Sequence, residues 1–422
     1  MPRFTNWART VVTRPAEHHA PSSAAEVSEL LVAARGHKVR VVGAAHSWSA
    51  INAPEDLWVT LDGLTGVMID RARSEATVLG GTRLRDLLAT LAAEGFTLPI
   101  VGSISAQSIA GAIATGTHGS SLVHGNLASL VTKLVLATAD GAIELTGDRL
   151  VGARVHLGAL GIVTSVTLRI EPSFQLAEEV EDLAIADVAP ALPAIATSAE
   201  YVKVWWMPHA PTAQVFRYTR TTEATAGKPE RKRWIDERVM HRFVFPLVVR
   251  VVHVPGMIRP ISRAIARSFV GVRRVGPSAL MLQTPMPLRH RETEAALPLA
   301  KAGEAFDRLA RAIADDRALR INFPMELRFV PSDPAWLSPA HGVDTCQIGA
   351  YCHGRSADRY FALFWRELRA LHARPHWGKE LDHTVDEVRA LWPELGAFQA
   401  LRDELDPERM FGGAFHARTL GA

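Results

Sequence analysis

The amino-acid sequence predicts an α+β fold in two parts. From residue 20 to about 172, short segments with helical periodicity alternate with short β-branched segments. The region from about 173 to 385 differs, because its strands and helices are longer and it holds more tryptophan. The chain has 422 residues, which exceeds what one hydrophobic core normally supports, so two domains are expected.

Capping residues, alternation and turn residues define the elements of the first region. Ser22 or Ser23 begins a helix that Gly36 ends, and Gly95 ends a second helix. Asp140-Gly141 turns a hairpin. The predicted elements are helices over 22–36 and 84–95, strands over 38–43, 57–64 and 76–82, the hairpin over 131–146, and a buried strand over 161–172.

The second region predicts a larger sheet with helices. Its first predicted strand covers 201–209 and pairs with 212–220, and a polar loop follows over 222–233. The remaining predicted elements are a helix over 298–314, a strand within 321–333, a helix over 358–373, and a mostly helical end over 385–415. We expect a first domain over 10–172, a cap domain over 173–385, and a segment over 386–422 that returns to the first domain.

Composition excludes several classes of protein. Hydrophobic residues make up 48% and charged residues 22%, which is typical of a globular protein. The net charge of +3, from 47 basic and 44 acidic residues, gives no reason to expect a nucleic-acid partner. The N-terminus lacks the apolar core of a signal peptide, so a cytoplasmic location without secretion is expected. The two cysteines, Cys346 and Cys352, fit no common zinc spacing, so we expect packed thiols and no metal.

Three glycine-rich stretches point to a nucleotide. They cover 41–50, 102–121 and 156–168, and they offer backbone N–H and hydroxyl groups that suit a diphosphate. Tight turns in an α+β domain are the alternative for any one of them. The chain has neither a GxGxxG fingerprint after a first strand nor a GxxxxGK[ST] loop, so a Rossmann or P-loop site is not supported.

The motifs VVGAAHSWSA, SIAGAIATGTHGSS and ARVHLGALGIVTSVTL resemble the flavin-binding domain of the vanillyl-alcohol oxidase (PCMH) superfamily. Within it, the chain is similar to the sugar-1,4-lactone oxidases, such as L-gulonolactone oxidase and D-arabinonolactone oxidase. The similarity runs nearly end to end, through NWA, EYVKVWWMPH, FPMELRFVPSD, RPHWGKEL and LDPERMF. It implies a two-part FAD-binding domain and a cap domain with a large antiparallel sheet flanked by helices.

The resemblance also implies the cofactor and its contacts. FAD is expected to be covalently attached through His46, whose imidazole is nucleophilic when neutral. A hydrogen bond or a cap is the alternative role for His46, and His118 is expected near the flavin without forming the bond. Ala45 stands where the family commonly has glycine. The expected FAD contacts are His46, Gly43, Ala44, Ala45, Ser47, Ser103, Ser108, Ile109, Gly111, Thr115, Gly116, His118, Gly119, Gly158, Gly161, Ile162 and Val163.

Three residues are expected to act on the substrate. Glu326 and Arg328 stand two apart in MELRF, and a strand would place both on one face. A surface ion pair is the alternative. The resemblance implies that this pair contacts the substrate and that Lys379 of RPHWGK lies close to the flavin, where a cation offsets negative charge. His376 would shape that loop.

The implied reaction is oxidation of an aldono-1,4-lactone at C2, with hydride transfer to flavin N5 and an ascorbate-type product. Three substrates stay open: L-gulono-, L-galactono- and D-arabinono-1,4-lactone. The electron acceptor also stays open, and it is either O2, with release of H2O2, or another acceptor. An alditol oxidase acting on a polyol is the nearest alternative, and a non-catalytic flavin-binding protein is a third.

A basic, apolar segment covers residues 231–274. Eleven arginine and lysine residues stand there among Phe, Val, Ile and Met. Such a pattern is typical of a helix on an anionic membrane surface, and the resemblance favours a peripheral membrane contact. The alternative is a pair of cap-domain helices whose arginines lie on the solvent-exposed face.

Overall fold

The computed structural model describes residues 1–251, 254, 256–269, 273–284, 288–354 and 356–421. Part of the basic segment predicted over 231–274, at residues 252, 253, 255 and 270–272, lies outside the described residues. Within the described part of the chain, no helix combines the length and the apolar character that a membrane span requires.

The first part of the chain forms two small sheets that carry the glycine-rich loops. One sheet is parallel and has the strand order β3-β5-β4. Another is antiparallel and has five strands in the order β10-β9-β11-β7-β6. Its elements are β1 (Phe4–Thr5), β2 (Val12–Thr13), β3 (Glu17–His19), α1 (Ala24–Ala33), β4 (Val39–Val41), β5 (Leu57–Val59), β6 (Val67–Asp70), β7 (Glu75–Leu79), α2 (Leu84–Ala93), β8 (Phe96–Thr97), α3 (Ile109–Ala114), β9 (Val131–Thr138), β10 (Gly141–Leu145), α4 (Gly147–Ala153), β11 (Ile162–Arg169) and β12 (Glu171–Pro172).

The second part is organised by one eight-stranded sheet with the order β16-β13-β15-β14-β18-β19-β17-β20. All its pairings are antiparallel. Its elements are β13 (Gln175–Ala184), α5 (Ile185–Ala196), β14 (Tyr201–Trp206), β15 (Thr212–Thr221), α6 (Pro229–Ile235), a π-helical turn (Asp236–Val244), α7 (Phe245–Val251), α8 (Ile258–Arg267), β16 (Arg274–Pro277), α9 (Ser278–Met281), β17 (Arg291–Pro298), α10 (Ala302–Asp315), β18 (Met325–Val330), β19 (Thr345–Cys352), α11 (Ala357–Arg369) and β20 (Arg374–Pro375).

The two faces of this sheet carry different residues. On one face Val204, Leu327 and Ile348 pack with apolar residues of α5, α10 and α11 into a buried core. On the other face, the alternate positions of the same strands carry Glu326, Arg328 and other polar or aromatic residues. Because side chains alternate along a strand, each strand serves both faces. The polar face forms one wall of the candidate site.

The C-terminal segment packs against the first part of the chain. It contains α12 (Val385–Leu391), α13 (Leu395–Leu405) and α14 (Ala414–Leu420). Met410 and Phe411 join a core with Val27 and Val39, and the Val39 N–H donates to the Met410 carbonyl at 2.8 Å. The guanidinium of Arg40 also donates to the Phe411 carbonyl at 2.6 Å. These contacts support the expected return of the chain, while the domain boundaries stay a prediction.

Most of the predicted elements are present, and several were missed. α1 begins after Ser23, whose side chain accepts the Glu26 N–H, and Gly36 has a φ of 83° as its end requires. The sequence analysis missed β17 and β19, two central strands of the large sheet, and among other elements it also missed β6, β13, α5 and α14. It placed a loop over 222–233 where α6 begins at Pro229, and a helix from 298 where α10 begins at Ala302. α5 was missed because it contains two prolines, Pro190 and Pro193.

Candidate functional site

The loop that contains His46 follows β4 and is held by the N-terminus. The Trp7 N–H donates to the Ala45 carbonyl at 2.8 Å, and the Asn6 side-chain amide donates to the Ser47 carbonyl at 3.0 Å. Ala45 has a φ of 54°, a left-handed conformation that glycine adopts more easily. Residues 43–47, which include Gly43 and Ala44, are half-buried, so the loop presents its backbone to a neighbouring space.

The second glycine-rich stretch lies directly against this loop. Ser108 caps α3, and its hydroxyl accepts the Gly111 N–H at 3.4 Å. A Cβ at Gly43 would lie 2.1 Å from the Ser108 hydroxyl oxygen, so a larger residue there would displace the side chain that caps α3. A Cβ at Gly119 would lie 2.7 Å from the Val101 carbonyl oxygen. Gly43 therefore packs directly against the Ser108 side chain, whereas Gly119 packs against the backbone just before its own stretch.

The other expected FAD contacts lie at the base of these loops. Ile109 is buried in α3, Thr115 follows that helix, and Gly116 has a φ of 68°. The Arg40 guanidinium donates to the Gly158 carbonyl at 3.2 Å, which ties the third stretch to β4.

The end of the third stretch enters the five-stranded sheet. A Cβ at Gly161 would lie 2.8 Å from the Ala137 carbonyl oxygen. Ile162 and Val163 begin β11, where both side chains are buried in the core. Only their backbone could face a ligand, and their role as FAD contacts stays a prediction.

His46 has the properties that covalent attachment requires. Its Nδ1 atom is buried and has no hydrogen-bond partner among the described residues. Burial lowers the pKa of His46 to about 4, and the charges of Lys379 and Arg83 act in the same direction. The imidazole is therefore neutral at physiological pH, with one nitrogen unused. His46, Ser103 and Lys379 line one cavity. A flavin beside the imidazole fits these residues, since the ring has a nitrogen without a hydrogen-bond partner among the described residues and a cation lies nearby.

The loop that contains Lys379 is joined to the His46 loop. The backbone N–H of Trp48 donates to the Gly378 carbonyl at 2.7 Å, and the Ser49 hydroxyl donates to the Trp377 carbonyl at 2.7 Å. The Lys379 ammonium lies 4.2 Å from the centre of the Trp48 ring. It is thereby held at the cavity that His46, Gly102 and Ser103 also line.

Glu326 and Arg328 lie side by side on β18, as the spacing predicted, but they are not a surface ion pair. Their exposed fractions are 1% and 7%. Glu326 accepts hydrogen bonds from the Trp205 indole at 2.7 Å and from the Tyr351 hydroxyl at 2.8 Å. The Arg328 Nε lies 3.5 Å from Glu326 Oε2. Arg328 and Lys379 line the same cavity as His46, whereas Glu326 borders an adjoining gap that Ser103 and Arg328 also line.

The sequence analysis missed two buried carboxylates on β17, Glu292 and Glu294. The Lys379 Nζ lies 2.5 Å from Glu292 Oε1, and the Arg328 Nη2 donates to Glu294 Oε1 at 2.7 Å. Each carboxylate therefore pairs with one of the two cations at the cavity. The signal was present in RETEAALP, where two glutamates stand two apart, as Glu326 and Arg328 do in MELRF.

The pairing gives the carboxylates different acidities. Burial alone would raise the pKa of Glu326, but Arg328, Lys203 and the two hydrogen bonds outweigh it and hold that pKa below its usual value. Glu326 is therefore ionised at neutral pH and can accept a hydrogen bond from a substrate hydroxyl. Burial raises the pKa of Glu292 to about 6, against the opposing charge of Lys379.

His118, Glu294 and His376 form a buried cluster whose ligand atoms lie within 4.8 Å of one another. The His376 Nδ1 accepts the Gly378 N–H at 3.0 Å, and burial keeps the pKa of His376 well below its usual value, so the ring is neutral with its proton on Nε2. Glu294 Oε1 already binds Arg328 and lies 3.1 Å from the His118 Nε2. The proton on Nε2 of His376 and the neighbouring guanidinium of Arg328 favour a hydrogen-bond network over a metal ion. The absence of a metal stays a prediction.

Two family models match this chain. The family model described as D-arabinono-1,4-lactone oxidase matches residues 166–419, and the model described as FAD binding domain matches residues 15–147. The L-gulono-1,4-lactone dehydrogenase of Mycobacterium tuberculosis is 30% identical, with 100% of this chain and 99% of that protein covered. The L-gulonolactone oxidase of Bos taurus is 27% identical, with 98% and 97% covered. The alditol oxidase of a Streptomyces species is 32% identical, with 97% of each covered.

Among solved structures, a cholesterol oxidase from B. sterolicum superimposes with a TM-score of 0.84 at 16% identity, covering 99% of this chain and 96% of that chain. At this identity the likeness concerns the fold alone. Together with the matched FAD-binding model, it confirms the fold predicted from the sequence: an α+β chain with a two-part FAD-binding domain of vanillyl-alcohol oxidase type and a cap domain with a large antiparallel sheet.

Proposed function

Because the chain belongs to the D-arabinono-1,4-lactone oxidase family and is an FAD-dependent oxidoreductase, we propose that it oxidises an aldono-1,4-lactone at the C2 hydroxyl. The candidate substrates are L-gulono-, L-galactono- and D-arabinono-1,4-lactone, and the product is of ascorbate type. The observation that carries this proposal is the meeting of His46, Lys379 and Arg328 at one cavity, with Glu326 in the adjoining gap. FAD, when bound, supplies the acceptor for the C2 hydride.

The proposed contacts with FAD are the residues of the three glycine-rich stretches named in the sequence analysis. His46 would form a covalent bond through the buried Nδ1 atom that has no other partner among the described residues. Neutral imidazole is the nucleophilic form, and burial keeps this ring neutral. Lys379, beside Trp48, would place a positive charge where the reduced cofactor carries negative charge.

Glu326 and Arg328 would orient the lactone. Glu326 is a carboxylate at neutral pH, so it can accept the hydrogen of the C2 hydroxyl and hold the C2–H in one direction. Arg328 would donate to a lactone oxygen while Glu294 holds the other end of its guanidinium. Trp205 and Tyr351 fix the Glu326 carboxylate, so little rotational freedom is lost when substrate binds.

A polyol is the second candidate substrate. An alditol oxidase is 32% identical to this chain over nearly its whole length, and the same three site residues would serve an alcohol of that kind. Electrons would leave to O2, with release of H2O2, or to another acceptor. The proposed location is the cytoplasm. Peripheral contact with a membrane surface belongs to the same proposal, since Trp234 of α6 and Leu247 of α7 are exposed and α8 carries three arginines.

The substrate is tested by mixing the purified, oxidised protein anaerobically with each lactone or with xylitol. Bleaching of the flavin absorbance by a lactone and not by xylitol is expected. Glu326→Gln should slow bleaching by at least about 10²-fold. The matched control is Glu304→Gln, which changes an exposed carboxylate on α10. Bleaching by xylitol alone would instead favour the polyol, and no bleaching by either would contradict both candidates.

The covalent bond is tested by denaturing the protein in acid. Yellow colour should stay with the precipitated wild-type protein and move to the supernatant for His46→Ala. His37→Ala, at an exposed histidine, should keep the colour in the precipitate. Free FAD released from the wild-type protein would rule out the bond and leave the cofactor itself in place.

A further inference from the structure

A second cavity, which we call the apolar cavity, lies against the polar face of the large sheet. Its volume is about 380 Å³, which is in the range of small-molecule sites. Trp205 of β14 and Phe216 of β15 form its floor, and Phe245 and Val249 of α7 lie in its roof. None of the three glycine-rich stretches lines it among the described residues, so it is separate from the proposed FAD cradle.

The wall of the apolar cavity does not suit a lactone. Apolar and aromatic side chains dominate it, including Met207, Phe269 and Met281. A sugar lactone carries several hydroxyl groups, and each needs a partner when it leaves water. A wall of this kind suits a hydrocarbon chain or an aromatic ring.

The polar side chains in the wall already bind one another. The Lys203 ammonium donates to the Thr284 hydroxyl at 3.0 Å. The Tyr218 hydroxyl donates to Glu178 at 3.1 Å, and Glu178 also pairs with Arg274. In the roof, each basic residue forms an ion pair along its own helix: Lys232 with Asp236 and Arg233 with Glu237. Most donors that could hold a hydroxyl-rich molecule are therefore engaged, while the Lys203 ammonium, which has three N–H groups, can still serve the oxygen of a single head group.

The inner end of the apolar cavity reaches the substrate residues. Lys203 and Tyr218 line both this cavity and the gap that Glu326 and Arg328 border. The Lys203 Nζ lies 3.9 Å from Glu326 Oε1. A molecule with its apolar body in the cavity would thus present its other end to Glu326.

The roof separates the apolar cavity from an apolar outer surface. Along the segment that forms it, Trp234, Phe243 and Leu247 are 59%, 65% and 61% exposed. One helical segment therefore carries apolar side chains both toward the cavity and toward solvent, where they form no part of a core. An exposed apolar patch beside an apolar cavity suits entry of a molecule that partitions out of water.

We propose that the apolar cavity binds a small amphiphile, with an apolar body among Trp205, Phe216 and Val249 and one oxygen-bearing head at Lys203 and Glu326. Two sources share this chemistry. An alcohol would transfer a hydride to the bound cofactor, lose its hydroxyl proton and leave as the carbonyl compound. An alkyl quinone would take two electrons from the reduced cofactor and two protons and leave as the quinol. The role of the ligand as an electron donor or an electron acceptor rests on the proposed function, whereas its binding does not.

Binding is measured by calorimetry of the holoenzyme with 1-octanol and, separately, with a decyl-substituted benzoquinone. At least one of them should bind with one molecule per chain. Val249→Trp should weaken that binding by about ten-fold or more, because the added ring takes the place of several buried methylene groups. Leu247→Trp adds the same ring on the exposed side of the same helix and should leave binding within about two-fold.

Leu280→Trp, from α9, fills the apolar cavity from another side and repeats the test if Val249→Trp fails to fold. Anaerobic bleaching of the flavin by 1-octanol would identify the ligand as a donor, and reoxidation of bleached enzyme by the quinone would identify it as an acceptor. Binding of neither probe, or equal binding by Val249→Trp and Leu247→Trp, would overturn the proposal. Lactone bleaching of wild type and Val249→Trp is measured in parallel, so loss of the lactone activity is distinguished from loss of the cavity ligand.

Discussion

The two faces of the eight-stranded sheet are built from the same strands but are stabilised in different ways. On the apolar face, Leu327 of β18 and Ile348 of β19 pack against three helices, and removal from water is the main stabilising force. On the polar face, Glu326 and Arg328 are equally hidden, yet charges in a buried site are tolerated only when they are paired and hydrogen-bonded.

The polar face meets that condition with a chain of opposite charges. Arg328 lies between Glu326 and Glu294, and Lys379 binds Glu292. Buried ion pairs of this kind add little to stability compared with apolar residues of equal size. Stability alone therefore does not explain why that face carries them, whereas the apolar face packs the sheet against its helices. Residues on the two faces should respond differently to substitution.

The largest expected effect is on activity, from Arg328→Leu on the polar face. The change leaves Glu326 and Glu294 as buried carboxylates without their shared cation, and it removes a donor to the substrate. The rate of flavin bleaching by the lactone should fall by about 10³-fold, and the free energy of unfolding by about 3–5 kcal/mol. Stopped-flow absorbance and thermal unfolding measure the two. Arg311→Leu, at an exposed arginine of α10, is the control, and a rate for Arg328→Leu within ten-fold of wild type would contradict the role of Arg328.

The next effect should be on stability alone, from Leu327→Ala, the residue between Glu326 and Arg328 in the chain. Its side chain points to the apolar face and is fully buried. The cavity left behind should lower the free energy of unfolding by about 2–5 kcal/mol. The bleaching rate of the folded protein should stay within about two-fold. Denaturant titration measures the stability, with exposed Leu247→Ala as the control. A large loss of rate with unchanged stability would show that the two faces are not separable.

The smallest effect is a dependence of stability on pH, from the neutral histidines that cover the polar face. Burial lowers the pKa of His376, which faces Glu294, His118, Lys379 and Arg328, well below the ordinary value of 6.5. The unfolded chain therefore binds a proton that the folded chain excludes as the pH falls below about 6.5, and the free energy of unfolding falls with it.

His376→Gln removes this proton-linked term. The slope of unfolding free energy against pH, between pH 7 and pH 5, should become flatter by up to about 1.4 kcal/mol per pH unit. The raised pKa of Glu292 changes the unfolding free energy in the opposite direction over part of this pH range. Because wild type and His376→Gln share this contribution, it cancels in the difference between their slopes. Exposed His37→Gln should leave the slope unchanged, and an unchanged slope in His376→Gln would show that His376 is not held neutral.

Some of the site could be predicted from local patterns. The spacing of Glu326 and Arg328 was sufficient to place them on one face, because alternation is a property of a single strand. The glycines at 43 and 119 could be recognised as places of close approach, and the structure has backbone or a hydroxyl within 2.7 Å of a Cβ at each. The covalent role of His46 came from resemblance, and its unused Nδ1 atom supports it.

Other parts could not be predicted because they depend on which strands lie side by side. Glu294 of β17 reaches Arg328 of β18 across the intervening strand β19, where Glu294 lies opposite Gly349, although the two residues are 34 positions apart in the chain. Tyr351 and Trp205 hold Glu326 for the same reason. The apolar cavity requires α7 to lie over β14 and β15, and no periodicity in 229–251 indicates that placement.

The sequence by itself determined the class of fold, the glycine-rich loops, and the strand that carries Glu326 and Arg328. These features depend on a residue's own conformation and on its near neighbours in the chain. Only the tertiary structure decided that the Glu326–Arg328 pair is buried rather than exposed, which carboxylates neutralise Arg328 and Lys379, and where a second cavity forms. Burial and charge pairing are set by the surface that covers a strand, and that surface comes from distant parts of the chain.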